Sequence, residues 1–359
     1  MAVITMAPLP CQLPKAYYVS YTRVIMRYVS KIPQGSLLFA PMEGITDEPY
    51  RMAIQEAFPE WGYLSTDFLR IPTQGEYSEK KIMEHFGERT FSNTKVKNKT
   101  AYQILTTAHA NTVPNIHKIE ALGFDHLDLN LGCPSKKVNG NKGGAYLLGD
   151  LPSLKKVIKD IRENFSGLFT AKIRVGFRDD KNFLDILKLL EDEGVEAITL
   201  HGRTRDQMYE GRADWSYIKK AVEAINIPLI GNGDCWNLFD VEQMFDETGC
   251  HAVMLGRGAL KTPWLATLFE ENKDQIHAVN EEYLLYERQN NLDYYFHLLE
   301  RNYFKKGLDQ EQLLRRFKAF SRYIFDDYPN GDAMRSKFLR SRTLEEFQEN
   351  LNRIKVNPI

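Results

Sequence analysis

Cys133 sits between glycine and proline in a loop dense with lysine and glycine, Asn130-Leu131-Gly132-Cys133-Pro134-Ser135-Lys136-Lys137, which runs on to Gly143-Gly144. A lone cysteine is usually a small buried hydrophobe, and that is the expectation for Cys11, Cys235 and Cys250. Cys133 differs, because it follows an apolar run directly and lies in an accessible, electropositive setting. A thiol there serves as nucleophile or proton donor. Lys172 ends another apolar run, and a lysine buried at such a point needs an anion or an electron-rich ring opposite it. Reduced flavin, charged around N1 and the C2 carbonyl, is one such ring, with Gln103 suited to the other edge of its pyrimidine. A Schiff-base lysine in an aldolase-type barrel is the alternative. Gly231-Asn232-Gly233 and Gly256-Arg257-Gly258 read as a phosphate cradle, since backbone N–H groups can approach an anion with no Cβ in the way.

The elements that must position these groups are short apolar runs separated by helical stretches. The runs are 36–40, 63–69, 101–105, 126–131, 169–175, 196–200, 227–232 and 251–255. Buried strands alternating with helices indicate a parallel sheet with crossovers, and this count and length match a (β/α)8 TIM barrel. A doubly wound sheet is the competitor, but it would not place special residues at every strand end. Here each run ends in them: Pro41-Met42-Glu43-Gly44, Asp67 and Arg70, Gln103, Asn130, Lys172 and Arg174, His201-Gly202-Arg203, Asn232-Gly233-Asp234, and Gly256-Arg257-Gly258.

Beyond about residue 275 the alternation stops. Residues 281–300, 310–328 and 344–354 read as helices, with a turn at 328–332. The expected organisation is an N-terminal extension of uncertain order over 1–35, a catalytic barrel over 36–275 and a small all-helical C-terminal domain over 276–359. Between Arg301 and Thr343, Lys and Arg outnumber Asp and Glu by six, with aromatics interleaved. That stretch reads equally as a solvated helix surface or as a face for RNA.

Composition bounds the partners. With 47 Lys+Arg against 48 Asp+Glu the net charge is −1, so only a local basic surface could hold a polyanion. Four scattered cysteines exclude a disulfide scaffold and a cysteine-rich zinc site, and no metal is expected. No apolar run reaches the roughly 18–20 residues of a spanning helix, and MAVITMAPLP lacks the basic start of a signal peptide. A cytoplasmic monomer without membrane contact is expected.

APMEG at 40–44, LNLGCPSKKV at 129–138, AKIRVG at 171–176, HGRT at 201–204, GNGD at 231–234 and GRGAL at 256–260 together resemble the tRNA-dihydrouridine synthases of the bacterial type. The match is ordered and spans about residues 37–265. Asp67 departs from the family, which often has Glu there, and the 35-residue leader has no counterpart. The resemblance implies FMN as cofactor, NADPH as reductant and tRNA as partner, with reduction of the C5=C6 bond of a D-loop uridine. It implies that Cys133 protonates C5. It places the flavin ring against Pro41, Met42, Glu43, Gln103, Lys172 and His201, and the phosphate near Asn232, Gly233, Asp234, Gly256 and Arg257. Asn130 and Arg174 would read the uracil, and Lys137, Arg315, Arg316 and Lys318 would meet the tRNA. A flavin dehydrogenase of a free pyrimidine, and an RNA-binding barrel without activity, are the competing functions.

Overall fold

In a computed structural model describing residues 27–326 and 330–356, eight strands close into a barrel. They are β1 Ser36–Phe39, β2 Leu64–Ser65, β3 Thr100–Leu105, β4 His126–Leu131, β5 Leu168–Arg174, β6 Ala197–His201, β7 Leu229–Asn232 and β8 Ala252–Leu255. Every pairing is parallel; β1 pairs with β8, and a bridge from Leu38 to Tyr63 closes the ring beside β2. A further two-residue strand, Leu69–Arg70, lies against the end of β3. The helices on the outside are α1 Glu48–Ala57, α2 Glu79–Phe86, α3 Thr112–Ala121, α4 Leu151–Arg162, α5 Phe183–Asp192, α6 Ser216–Ala224, α7 Leu238–Thr248 and α8 Leu265–Asn272. All eight apolar runs of the sequence coincide with these strands.

Side chains alternate across each strand, and the alternation divides two environments. On β4, Leu127, Leu129 and Leu131 pack outward against the helices. His126, Asp128 and Asn130 lie on the opposite face, inside the barrel. The interior is therefore unusually polar for a fold whose lumen is normally filled with branched apolar residues. It is sustained by pairing: Asp128 accepts from Gln103 Nε2 and Thr170 Oγ1, each at 2.7 Å.

The bottom of the barrel is closed from outside the strands. Tyr28 and Ile32, each 1% exposed, pack against Leu38, Tyr63, Ala101, Leu168, Ala197, Ile230 and Ala252. His251 Nε2 meets the Ile32 carbonyl at 2.8 Å, and Arg27 pairs with the buried Glu196 at 2.5 Å. The packed structure thus begins before residue 36, because the lumen needs an apolar stopper that the strands do not provide. Residues 1–26, including Cys11 and the sequence MAVITMAPLP, lie outside the described residues.

Four helices complete the chain: α9 Glu281–Lys305, α10 Gln310–Ile324, α11 Gly331–Arg340 and α12 Leu344–Val356. Asn280 caps α9, and Asp309 with Gln312 forms a capping box on α10. Helix α11 was not anticipated, since Gly331 stands inside the expected turn; that turn lies partly outside the described residues. The helical layer seats on α1, where Tyr50 packs edge-on to Tyr295 and beside Phe320, with Tyr295 Oη 3.2 Å from Tyr50 Oη. No described helix is long and apolar enough to cross a membrane.

Candidate active site

The strand ends surround a cleft of about 590 Å³, within the range of small-molecule sites. The residues named for a flavin and its substrate come together in it. Pro41, Met42 and Glu43 line it from the loop after β1, Gln103 from β3, Asn130 and Cys133 from β4 and its loop. Lys172 and Arg174 reach it from β5, His201 from β6, Asn232, Gly233 and Asp234 from β7, and Gly256 and Arg257 after β8.

Lys172 is the centre of the electrostatic problem. Its ammonium is enclosed and donates to Asn232 Oδ1 at 3.0 Å. Asn232 is fixed in turn by donating from Nδ2 to the Met254 carbonyl at 2.7 Å. Among the described residues no carboxylate comes within ion-pair distance of Lys172. Burial, with Arg174 nearby, brings its pKa down to about 8. A cation held this way is costly unless a bound ligand supplies the missing negative charge. That is the fit expected for an electron-rich ring; Arg257, which also lines the cleft, already pairs with Asp234 at 2.8 Å.

His201 is buried, and burial beside Lys172, Arg174 and Arg203 holds its pKa well below the usual histidine value. The ring is therefore neutral. Arg203 can only donate, and its Nη1 lies 3.2 Å from His201 Nε2. The ring proton must then sit on Nδ1. Arg203 was seen in the sequence as part of a strand tip, but its place is structural: with Arg257 it clamps the Asp234 carboxylate, at 2.6 Å and 2.8 Å.

The glycines expected to cradle a phosphate have packing reasons of their own. A Cβ on Gly233, whose φ is +118°, would fall 2.7 Å from both Ala213 Cβ and His201 Cδ2. On Gly231 it would lie 2.5 Å from Met244 Sδ, and on Gly258 2.1 Å from the Cys235 carbonyl oxygen. Gly256 alone has ordinary room, its nearest neighbour being Ala40 Cβ at 3.7 Å. Arg257 lies over the Trp236 and Tyr209 rings at 4.7 and 5.1 Å.

Gln103 and Asn130 are tied to one another. Gln103 donates to Asp128, and its Oε1 accepts from Asn130 Nδ2 at 2.9 Å. Asn130 Oδ1 then accepts from the backbone N–H groups of Gly132 and Cys133 at 3.2 and 3.0 Å. A buried carboxylate thereby fixes, through two amides, the backbone that carries the thiol. Asn139 Nδ2 holds the other side of this loop, donating to the Cys133 and Ser135 carbonyls at 3.0 and 2.7 Å. Arg174 donates to the carbonyls of Gly132, Thr204 and Met208 at 2.9, 3.0 and 2.9 Å. It thus joins the cysteine loop to the loop after β6.

Cys133 is half-buried, and its pKa is raised: burial is the largest cause, and Glu43 adds to it against Arg70 and Arg174. The electropositive loop expected from the sequence does not govern the thiol, because Lys136 and Lys137 stand out in solvent. A protonated thiol at neutral pH can donate a proton, and this environment does not favour the thiolate. Cys235 and Cys250 are buried, as expected.

The basic helical stretch is less free than its charge count. Arg301, Lys306 and Arg316 pair with Glu56, Glu48 and Asp47 of the barrel, carboxylates outside the counted window. Arg316 faces the barrel, where its guanidinium pairs with Asp47 and donates to the Gly44 carbonyl. Arg315 stays exposed beside Glu311, and Lys318 is half-exposed. Tyr303, Phe317, Phe320 and Phe338 are core residues, while Tyr323 lines the cleft. The sequence reading missed Asp128, Tyr209 and Trp236. Asp128 had a signal, the strict alternation of His-Leu-Asp-Leu-Asn-Leu; Tyr209 and Trp236 had none in spacing.

The family model described as dihydrouridine synthase matches residues 38–357. The chain is 32% identical over 256 residues to tRNA-dihydrouridine synthase B of Pasteurella multocida, spanning 70% of this chain and 74% of that protein. It is 29% identical over 324 residues to the tRNA-dihydrouridine(16) synthase of Haemophilus influenzae, spanning 88% and 99%. With the enzyme of that same name from Shigella flexneri it shares 31% over 273 residues, 72% of this chain and 84% of that one.

Proposed function

The chain belongs to the dihydrouridine synthase family of flavin-dependent oxidoreductases, and from that premise we propose that it reduces the C5=C6 bond of a D-loop uridine in tRNA. The observation that carries this reading is Lys172, lining the cleft with no carboxylate partner among the described residues, beside a Cys133 whose raised pKa keeps it protonated. Bound FMN, reduced by NADPH, would supply the hydride for C6. Met42, Lys172 and His201 would hold the ring, with Lys172 balancing its negative charge, and Gly256 and Arg257 would meet the phosphate.

The protein's own chemistry is the proton. Uracil accepts hydride poorly, and a placed acid at C5 eases the transfer by about 10²–10⁴-fold. Cys133 is that acid: its raised pKa keeps the proton on Sγ, and the Asp128–Gln103–Asn130 chain fixes the backbone it hangs from. Arg174 lies against the same loop and meets the uracil with what its backbone bonds leave free. The base must leave its stack to reach the cleft, at a cost of a few kcal/mol. Phosphate contacts from Lys137, Arg315 and Lys318 offset that cost.

The test is to purify the protein, measure bound FMN, and supply NADPH with unmodified tRNA, free uracil or dihydroorotate in parallel. Bound FMN with dihydrouridine formed only in tRNA is the expected result. Turnover of a free pyrimidine, or protein that neither contains FMN nor takes it up, would overturn the proposal.

A further inference from the structure

The loop after β1, residues 41–47, forms one wall of the cleft through Pro41, Met42, Glu43 and Ile45. Its inner side is held locally: the Met42 carbonyl accepts from Ile45 and Thr46 N–H, both at 3.0 Å. Its outer half contains Gly44, at φ +76° with no atom within 4 Å of where a Cβ would stand. Glu43 and Gly44 are both exposed.

Arg51 of α1 holds the Thr46 carbonyl at 2.6 Å, and the remaining hold comes from the helical domain. Arg316 of α10 donates to the Gly44 carbonyl and pairs with the Asp47 carboxylate. One guanidinium thus grips two points of the loop, as its planar fork allows and an ammonium cannot. The fork is itself braced, with the guanidinium 5.2 Å from the Tyr303 ring centre and 6.0 Å from that of Phe320. Tyr303 Oη donates to Asp47 Oδ1 at 2.6 Å. Asp47 also caps α1 by accepting from Tyr50 N at 3.3 Å. Lys306 reaches Glu48, the next residue, at 3.0 Å.

We infer that Arg316 is a positioning residue through which the helical domain sets the cleft wall at residues 41–47. Its effect on cofactor binding rests on the flavin reading above; its effect on the loop does not. The helical domain is then part of the cofactor site as well as a surface for nucleic acid.

The test uses full-length wild type, Arg316→Ala and Arg316→Lys, each examined flavin-free and after FMN is added. In flavin-free Arg316→Ala, amide exchange over residues 40–50 is expected to quicken roughly tenfold, while residues 126–131 exchange as in wild type. FMN binding is expected to weaken roughly fivefold or more in Arg316→Ala, with Arg316→Lys intermediate because it can keep Asp47 but cannot fork to Gly44 as well. The salt slope of tRNA binding should not change. Unaltered exchange over residues 40–50 in Arg316→Ala would overturn the proposal. So would a salt slope lowered by about one with the loop unaffected, which would make Arg316 a phosphate contact. Exchange raised throughout the barrel in both variants would make it a folding residue and overturn it equally. Wild type that binds no FMN would defeat the proposed function, while the exchange comparison would still decide the clamp.

Discussion

Lys172 is held in the flavin-free fold at a cost, and the cost has a pH signature. Its pKa is brought down to about 8 by burial, below the unfolded value, so the unfolded chain binds more protons between these two values. Stability of the flavin-free protein should therefore rise with pH from about 8 toward 10.5 as the enclosed ammonium loses its proton. Lys172→Met, which removes the charge, should stabilise that form by roughly 1–3 kcal/mol in denaturant titrations and flatten this rise, yet bind FMN more weakly. A variant that is both less stable and normal in FMN binding would contradict this account. Cys133 gives a second test at the same scale. In Cys133→Ala, NADPH should still reduce the flavin, but oxidation of the reduced enzyme by tRNA in rapid mixing should slow by roughly 10²-fold or more. In wild type that step should be flat through neutral pH and fall only above the ordinary thiol range, because the raised pKa keeps the donor protonated until then. A maximum shifted toward low pH would mean a thiolate and a different role. The residue types around the cleft were legible in sequence because each stands at a strand end. Their partners were not: that Gln103 and Asn130 share bonds, and that Arg174 faces backbone carbonyls, depends on distances between strands.

At the scale of elements, the eight strands were legible because apolar runs of four to seven residues recur between helical stretches. The polar lumen was half legible: alternation on β4 announces that Asp128 and Asn130 share a face, but not that the face is inward. Helix α11 was hidden because Gly331, a turn former, stands as its first residue. The glycines expected to cradle a phosphate were legible as glycines, but the packing that also requires them was not. Gly233→Ala should cost about 2–4 kcal/mol, since its Cβ would strike Ala213 and His201 at a backbone angle only glycine adopts easily. Thermal melting of the flavin-free protein checks this. An unchanged midpoint would show that the β7 end yields, and that glycine is there for ligand approach alone.

For the molecule as a whole, the charge window over Arg301–Thr343 overstated the free charge, because it counted Arg301, Lys306 and Arg316 without the barrel carboxylates that meet them. The helical layer covers Tyr50, one of the fully enclosed side chains of α1. A chain ending at residue 275 should therefore expose that apolar surface and be recovered aggregated or bind a hydrophobic dye; a soluble, cooperatively melting barrel would contradict the packing. The stopper of Tyr28 and Ile32 has a further consequence, of a kinetic kind. With the lower end of the lumen shut, the cleft is entered at the strand ends, so on the proposed function nicotinamide and nucleic acid would take turns at the same opening. Steady-state velocities should then follow a ping-pong pattern, with parallel double-reciprocal lines and each substrate in excess competing against the other; converging lines would require both to be bound at once, and hence a second way in.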